Sequence, residues 1–195
     1  MKAFIISQPK AGTYLCSNLL INLGMTATGM HVKGNKYRTY NPTQPLPRFE
    51  TKQQLREYIA SVTTHAKSFN DILTRIPENG FAVGHLVPDM KYINGLKDFK
   101  KILLVRDFAE HQESIVRFQN EVKGSTSVDK NAYAAIANWQ YESNVFVLDF
   151  NDMIKPRYAK IRKLQNFLFG TVITDEKEAM DKALASPSPT KSSIR

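Results

Sequence analysis

Short apolar runs alternate with amphipathic stretches along this chain. Four runs are apolar at almost every position: Ala3 to Ile6, Phe81 to His85, Lys101 to Arg106 and Val145 to Leu148. Continuous apolar runs of this length predict strands that are buried on both faces. A further strand is predicted within Met25 to Val32, and the residues that follow, Lys33 to Arg48, are predicted to form a loop.

Between the strands, apolar residues recur at helical spacing. The predicted helices run from Thr13 to a stop at Gly24, from a capping box at Thr51 and Gln54 to about Lys67, from Phe69 to Ile76, from Ala109 to Val122, from Ala132 to Ser143, and from Pro156 to Phe169. The small polar segment Gly124 to Asn131 is predicted to be a mobile loop or lid. This alternation predicts an α/β fold, with a central parallel sheet of about four or five strands flanked by helices on both faces.

The length of 195 residues fits a single domain that spans the whole chain, with residues 186–195 as a flexible tail. No run of about 18 apolar residues is present, so no membrane span is predicted. Met1 leads directly into the first strand without the features of a secretory signal, which favours a cytoplasmic protein. Cys16 is the single cysteine, which excludes an internal disulfide, and its place in the first helix predicts a buried, unreactive thiol.

The charge of the chain favours an anionic partner. Lys and Arg number 27 against 18 Asp and Glu, which gives a net charge of +9. Such a balance suits a nucleic acid, a membrane surface or a small polyanion without choosing among them. Basic residues between His31 and Arg48 are interleaved with Tyr37 and Tyr40, a composition that fits either a surface for nucleic acid or sugar or an ordinary surface loop.

The first strand, loop and helix form a unit typical of phosphate-binding sites. In such a unit the loop's N–H groups and the positive end of the helix dipole meet at one place, and Lys10 adds a full charge there. A nucleotide-triphosphatase loop is excluded because it would need a glycine at Ser7 and a lysine at Thr13. The dinucleotide fingerprint is excluded because the loop has one glycine. What remains is the P-loop-like sequence Pro9-Lys10-Ala11-Gly12-Thr13.

Polar residues follow three of the predicted strands. Lys10 comes after the first strand, while His85 and Arg106 end two of the others. Because parallel strands present their carboxyl ends at one edge of a sheet, we expect these three side chains to lie at one rim, where ligands bind in such folds.

The loop from Pro9 to Thr13 resembles the loop with which sulfotransferases hold the 5′-phosphosulfate end of PAPS (3′-phosphoadenosine 5′-phosphosulfate), usually Pro-Lys-Ser-Gly-Thr. A second feature of these enzymes, a strand ending in Arg and a helix with Ser eight positions later, matches Arg106 and Ser114. Cytosolic members also carry His-Leu-Pro after a strand, and the stretch from Gly84 to Pro88 is similar but one residue longer. The chain thus resembles the PAPS-dependent sulfotransferase family over about Lys2 to Phe169.

The resemblance implies in-line transfer of a sulfuryl group from PAPS to a hydroxyl or amine, without a metal ion. It implies that Lys10 stabilises the leaving oxygen and that His85 takes the acceptor's proton, with Asp89 or another carboxylate on the rim as the reserve base. The remaining motif residues are implied to bind the donor: Pro9, Ala11, Gly12, Thr13 and Tyr14 at the 5′-phosphate, and Arg106 and Ser114 at the 3′-phosphate.

The sequence also departs from the family pattern. Ala11 replaces the usual Ser, and Tyr14-Leu15 stands where many members have Thr-Trp, which leaves the residue that stacks on adenine undefined. Cytosolic members close over the 3′-phosphate with an Arg-Lys-Gly loop. Here either Lys191 substitutes for that loop or the closure is missing.

The acceptor is predicted to be a small molecule or a glycan, in a pocket built from His31 to Arg48 and from Gly124 to Asn131. The sequence indicates neither the acceptor's identity nor an oligomeric state.

Two other functions fit the same pattern. A nucleotide kinase or other phosphoryl-transfer enzyme shares the strand, loop and helix, with Asp107 and Asp149 as its candidate magnesium ligands. A non-catalytic protein that binds a polyanion or nucleic acid would account for the charge of +9, although the donor motifs disfavour a nucleic-acid partner.

Overall fold

The strands of the described residues form a seven-stranded sheet at the centre of the protein. The computed structural model describes residues 1–41, 47, 49–86, 90–122, 134, 137–155 and 157–186. The strands are β1 (Ala3–Ile6), β2 (Thr26–Lys33), β3 (Lys36–Thr39), β4 (Thr63–His65), β5 (Gly80–Gly84), β6 (Lys100–Val105) and β7 (Val145–Asp149). They lie in the order β4-β3-β2-β5-β1-β6-β7. Neighbours from β2 to β7 run parallel, whereas β3 and β4 add antiparallel pairs at one edge.

Helices cover both faces of this sheet. They are α1 (Thr13–Asn22), α2 (Lys52–Ser61), α3 (Phe69–Leu73), α4 (Met90–Gly95), α5 (Phe108–Val122), α6 (Phe150–Ile154), α7 (Tyr158–Phe169) and α8 (Glu176–Ala185), with a 3₁₀ turn at Trp139–Tyr141. In the ranges that the structure describes, no helix has the length and apolar character that crossing a bilayer requires.

Two hydrophobic cores lie on opposite faces of β1. Ala3 and Ile5 pack with α1, α7 and α8, whereas Phe4 and Ile6 pack with α3, the end of α4 and the 3₁₀ turn. All four side chains are fully buried, as the continuous apolar run predicts. The sequence therefore correctly predicts an α/β fold with a central parallel sheet.

The loop predicted over Lys33 to Arg48 is wrong in its first part, because Lys36–Thr39 is strand β3. Gly34, with φ 65°, allows a tight turn that pairs Lys33 with Lys36 and His31 with Arg38. The charged residues face outward from this hairpin. The sequence pattern therefore carries little apolar signal, although Tyr37 reaches the core.

The predicted helix after Thr51 begins correctly but ends too late. The capping box is formed, since Gln54 N–H donates to Thr51 Oγ1 and the Gln54 side chain accepts from the Thr51 N–H. The helix ends at Ser61 instead of about Lys67. The β-branched residues that follow favour extended backbone, and Thr63–His65 pairs with β3 as the edge strand β4.

Other boundaries also differ from the prediction. α3 ends at Leu73, three residues before the predicted end, and α4, α6 and α8 were not predicted. Within the described part of the helix predicted over Ala132 to Ser143, residues Trp139–Tyr141 form the 3₁₀ turn and Trp139 is buried. The segment Gly124 to Asn131 and the tail after residue 186 lie outside the described residues.

Gly12 joins the loop after β1 to α1 in a conformation that restricts its replacement. Its φ of 98° is left-handed, and a Cβ atom at this position would overlap the ring of Phe150, the first residue of α6. Gly170, which follows α7, is also left-handed, with φ 75°, but a Cβ atom there would meet nothing within 4 Å. The two glycines share the backbone requirement and differ in available space.

We expect Gly12→Ala to lower the free energy of unfolding by about 1 to 3 kcal/mol more than Gly170→Ala does, because only Gly12→Ala forces a methyl group into a buried ring. Urea unfolding followed by circular dichroism measures the difference. Equal losses in the two variants would show that Phe150 moves aside without cost.

Candidate functional site

The loop between β1 and α1 leaves a group of backbone donors without an acceptor. Lys10 and Gly12 have left-handed backbone, with φ 68° and 98°. In the described part of the chain, the N–H groups of residues 12–15 have no acceptor, whereas the Ala11 N–H donates to the Gln8 carbonyl. Free N–H groups at a helix N-terminus form a site for an anion.

The loop carbonyls are held by side chains from the next strand and helix. Nη1 of Arg106 donates to the Lys10 carbonyl at 3.2 Å, and Nε2 of His111 donates to the Pro9 carbonyl at 2.5 Å. His111 lies on α5 and is fully buried. These bonds fix the orientation of two consecutive carbonyls. The sequence indicates no functional role for His111, because its contact depends on the packing of α5 against the loop.

One face of α5 lies toward the loop. Ser114 and Phe118 follow His111 by three and seven positions, which places all three on one side of the helix. The Lys10 Nζ atom lies 4.3 Å from the centre of the Phe118 ring, a cation–π contact, and Ser114 is 4% exposed. Lys10 and Ser114, two of the predicted site residues, are therefore at the same side of the sheet.

Arg106 lies against the same loop from the end of β6. Its guanidinium carbon is 4.1 Å from the centre of the buried Phe150 ring, and Nε is 3.9 Å from an oxygen of Glu110. Phe150 thus contacts Arg106 on its ring and also limits the space at Gly12. The sequence did not indicate this residue, because it follows β7 and reaches the loop only in the folded protein.

His85 lies at the end of β5, beside the start of the loop. Its Nδ1 atom is 3.0 Å from the Ser7 carbonyl, which can only accept, so Nδ1 carries the proton. The Nε2 atom then has a free lone pair and can act as a base. Ser7 Oγ lies 3.5 Å from Nδ1 and 3.4 Å from Thr13 Oγ1, so polar contacts continue from His85 to α1.

Burial lowers the pKa of His85 to about 4, and the charges of Arg38 and Lys33 add to this shift, while the bond to Ser7 opposes it. The pKa of His85 in the folded protein is therefore well below the ordinary imidazole value of about 6.5. His85 is neutral at pH 7, which keeps the Nε2 lone pair available.

A cluster of rings lies next to His85. The ring centre of His31 is 5.8 Å from that of His85, 5.3 Å from that of Tyr14 and 5.0 Å from that of Tyr40. Burial lowers the pKa of His31 to about 3, with His85 and Arg38 contributing, and burial raises the pKa of Tyr14 well above its usual range. The sequence gave His31 no role of its own beyond a place in the predicted acceptor segment His31 to Arg48, because its neighbours come from α1, β5 and the end of β3.

The candidate magnesium ligands of the kinase alternative serve as helix caps. Asp107 Oδ1 accepts from the N–H groups of Ala109 and Glu110, and Asp149 Oδ1 accepts from Asn151. Among the described residues, no group of three or more His, Cys, Asp or Glu side chains is placed to hold a metal ion.

Three further predictions concern residues that take no part in the contacts described above. Cys16 is fully buried, as predicted, and burial raises the pKa of its thiol to about 12. Asp89 and Lys191 lie outside the described residues, so their predicted roles stay predictions.

Comparison with known proteins adds a fold relationship. No family model matches the chain, and no curated protein matches its sequence. A crystal structure of mouse sulfotransferase SULT7A1 complexed with PAP matches with a TM-score of 0.59 and 16% identity, over 94% of this chain and 64% of that chain.

Two crystal structures of retinol dehydratase match similarly. The complex with androsterone and the inactive cofactor PAP has a TM-score of 0.58 and 14% identity, over 93% of this chain and 64% of that chain. The complex with retinol and PAP has a TM-score of 0.57 and 14% identity, over 92% and 63%. The chain spans less than two thirds of the length of these proteins. It has the fold of PAP-binding sulfotransferases, and the predicted resemblance is confirmed at the level of fold.

The lowered pKa values of His31 and His85 predict acid sensitivity. Between about pH 6.5 and 4 the unfolded chain takes up protons on both imidazoles while the folded protein does not, so stability falls as the pH falls through this window. We expect the loss of unfolding free energy between pH 7 and 4.5 to shrink by about 1 to 3 kcal/mol in His31→Gln and in His85→Gln.

Urea unfolding at both pH values tests this expectation. His65→Gln is the matched control, since His65 is exposed on β4 and its loss should leave the pH dependence unchanged. An unchanged pH dependence in the first two variants would contradict the burial of neutral imidazoles at this site.

Proposed function

We propose that the protein is a PAPS-dependent sulfotransferase that transfers a sulfuryl group to a hydroxyl or amine of a small-molecule or glycan acceptor. The observation that supports this most directly is the meeting of both donor motifs at one rim, where Arg106 Nη1 bonds to the Lys10 carbonyl. The fold shared with PAP-bound sulfotransferases supports the same donor. We also propose that residues 1–195 form one domain and that it acts in the cytoplasm.

The residues of the loop fit the 5′-phosphate of such a donor. The N–H groups of residues 12–15 supply donors, Thr13 supplies a hydroxyl, and Lys10 supplies a positive charge. The Ala11 N–H bonds to Gln8, so the proposed contact of Ala11 with the phosphate requires that bond to open. Pro9 contributes its carbonyl to His111 and thereby helps to fix the loop.

The 3′-phosphate is assigned to Arg106 and Ser114. Arg106 supplies a guanidinium that can bond two phosphate oxygens, and Ser114 supplies a hydroxyl from the face of α5 that lies toward the loop. Lys191 is proposed to close over this phosphate from the C-terminal tail.

In the proposed reaction, the acceptor oxygen attacks the sulfur atom and the bond between sulfur and the bridging oxygen breaks. The acceptor's proton passes to Nε2 of His85, whose Nδ1–H is held by the Ser7 carbonyl. The products are the sulfated acceptor and adenosine 3′,5′-bisphosphate. Lys10 exchanges its contact with Phe118 for the bridging oxygen, where negative charge develops.

Calorimetric titration with adenosine 3′,5′-bisphosphate should show binding that weakens by about 10- to 100-fold in Lys10→Ala and in Arg106→Ala, because each variant removes a cation that bonds to phosphate. Lys97→Ala is the matched control. Lys97 is an exposed lysine that precedes the amino end of β6, whereas Arg106 follows its carboxyl end. Binding of ATP in place of the bisphosphate would favour the nucleotide kinase. Binding of neither would favour the non-catalytic polyanion binder.

His85→Gln should keep the affinity for the bisphosphate and lower turnover by about 10² to 10⁴, because a glutamine amide can still donate to the Ser7 carbonyl but cannot take the acceptor's proton. Radiolabelled PAPS and a panel of phenols, alcohols and sugars give the rate. Equal rates in the variant and the wild type would move the role of base to Asp89 or another group.

A further inference from the structure

The hairpin of β2 and β3 presents a basic face beside His85. In the pairing of these strands His31 lies opposite Arg38, and Lys33 lies opposite Lys36. Because side chains alternate along a strand, these four residues share one face, which we call the hairpin face. The intervening Val32 is fully buried on the other face.

The hairpin face adjoins the proposed reaction centre. The main chain of His85 donates to the Val32 carbonyl at 3.1 Å, and the rings of His31 and His85 are 5.8 Å apart. Tyr14, one residue after Thr13 of the donor loop, packs on the same His31 ring. When the hydroxyl of an acceptor lies at Nε2 of His85, the other groups of the acceptor can therefore reach the hairpin face.

Among the described residues, no acidic side chain pairs with the positive charges of this face. In the described ranges, no carboxylate oxygen lies within 4.0 Å of a side-chain nitrogen of Lys33, Lys36 or Arg38. The charges of Arg38 and Lys33 also act on His85, whose pKa they lower. Like charges gathered without counter-charges attract an anion from solution.

A groove beside α2 carries two acidic residues. Glu50 and Glu57 line a groove of about 620 Å³ with Phe49 and Tyr58, beside α2. This groove offers repulsion to an anion, whereas the hairpin face offers attraction. The hairpin face and this groove therefore differ in charge.

We propose that the hairpin face is an acceptor subsite for an anionic group, so that the acceptor is a ring-bearing hydroxyl compound that also carries a carboxylate, sulfate or phosphate. Arg38 and Lys33 bind the anionic group, and Tyr14 and Tyr40, which pack on His31, contact the ring. The inference rests on the proposed function, because it places the acceptor by reference to His85.

Binding to protein saturated with adenosine 3′,5′-bisphosphate tests the proposal, since the bisphosphate fills the donor's phosphate sites. The probes are two matched pairs: 4-hydroxybenzoate with 4-hydroxybenzamide, and methyl glucuronide with methyl glucoside. In at least one pair the anionic member should bind about tenfold more tightly than the neutral one, and added salt should reduce this preference.

The double variant Lys33→Gln/Arg38→Gln should abolish the preference for the anionic probe and leave the affinity for the bisphosphate unchanged. The control Lys97→Gln/Lys163→Gln removes the same charge from exposed positions away from the hairpin and should keep the preference. Failure of the wild type to bind the bisphosphate would refute the proposed function itself. Binding of the bisphosphate without any preference for an anionic probe, or an equal loss in both double variants, would overturn only the acceptor subsite.

Discussion

The orientation of the peptide groups in the loop after β1 is the constraint on which the rest of the site depends. A loop can offer N–H groups to an anion only if its carbonyls point elsewhere, since a carbonyl repels the same anion. Here the side chains of Arg106 and His111 donate hydrogen bonds to the carbonyls of Lys10 and Pro9 and so fix the direction in which these carbonyls point. Left-handed backbone at Lys10 and Gly12 makes the arrangement possible.

The sheet places chemically different groups around this loop because the strands that precede them are neighbours. β1, β5 and β6 are adjacent, so the residues that follow them meet without long side-chain reach. On one side His85 and His31 are neutral in a partly buried, ring-lined region. On the other side α5 contributes Ser114. The loop thus separates a region suited to proton removal from a region suited to phosphate.

The sequence predicted the features that depend on local pattern. β1 and β6 were predicted because their apolar runs are continuous. Arg106 and Ser114 were predicted as site residues because their spacing resembles a family motif. The structure places them directly after β6 and on α5, and their role in binding stays a prediction. Strand β3 was missed, since a polar edge hairpin has little apolar signal. His111 and Phe150 were missed for a different reason: their contacts join segments about 100 residues or more apart, and no local pattern encodes such a pairing.

The ring of Phe150 has a consequence for how a ligand with two phosphates is bound. It touches Arg106 and limits Gly12, so the two halves of the proposed donor site share one rigid element. In the proposed complex, movement of Arg106 toward one phosphate alters the support of the loop that is proposed to bind the other. The halves are therefore energetically coupled, and this coupling is reciprocal. Adenosine 3′-phosphate and adenosine 5′-phosphate, each alone, would then report affinities whose free energies do not add up to that of the bisphosphate.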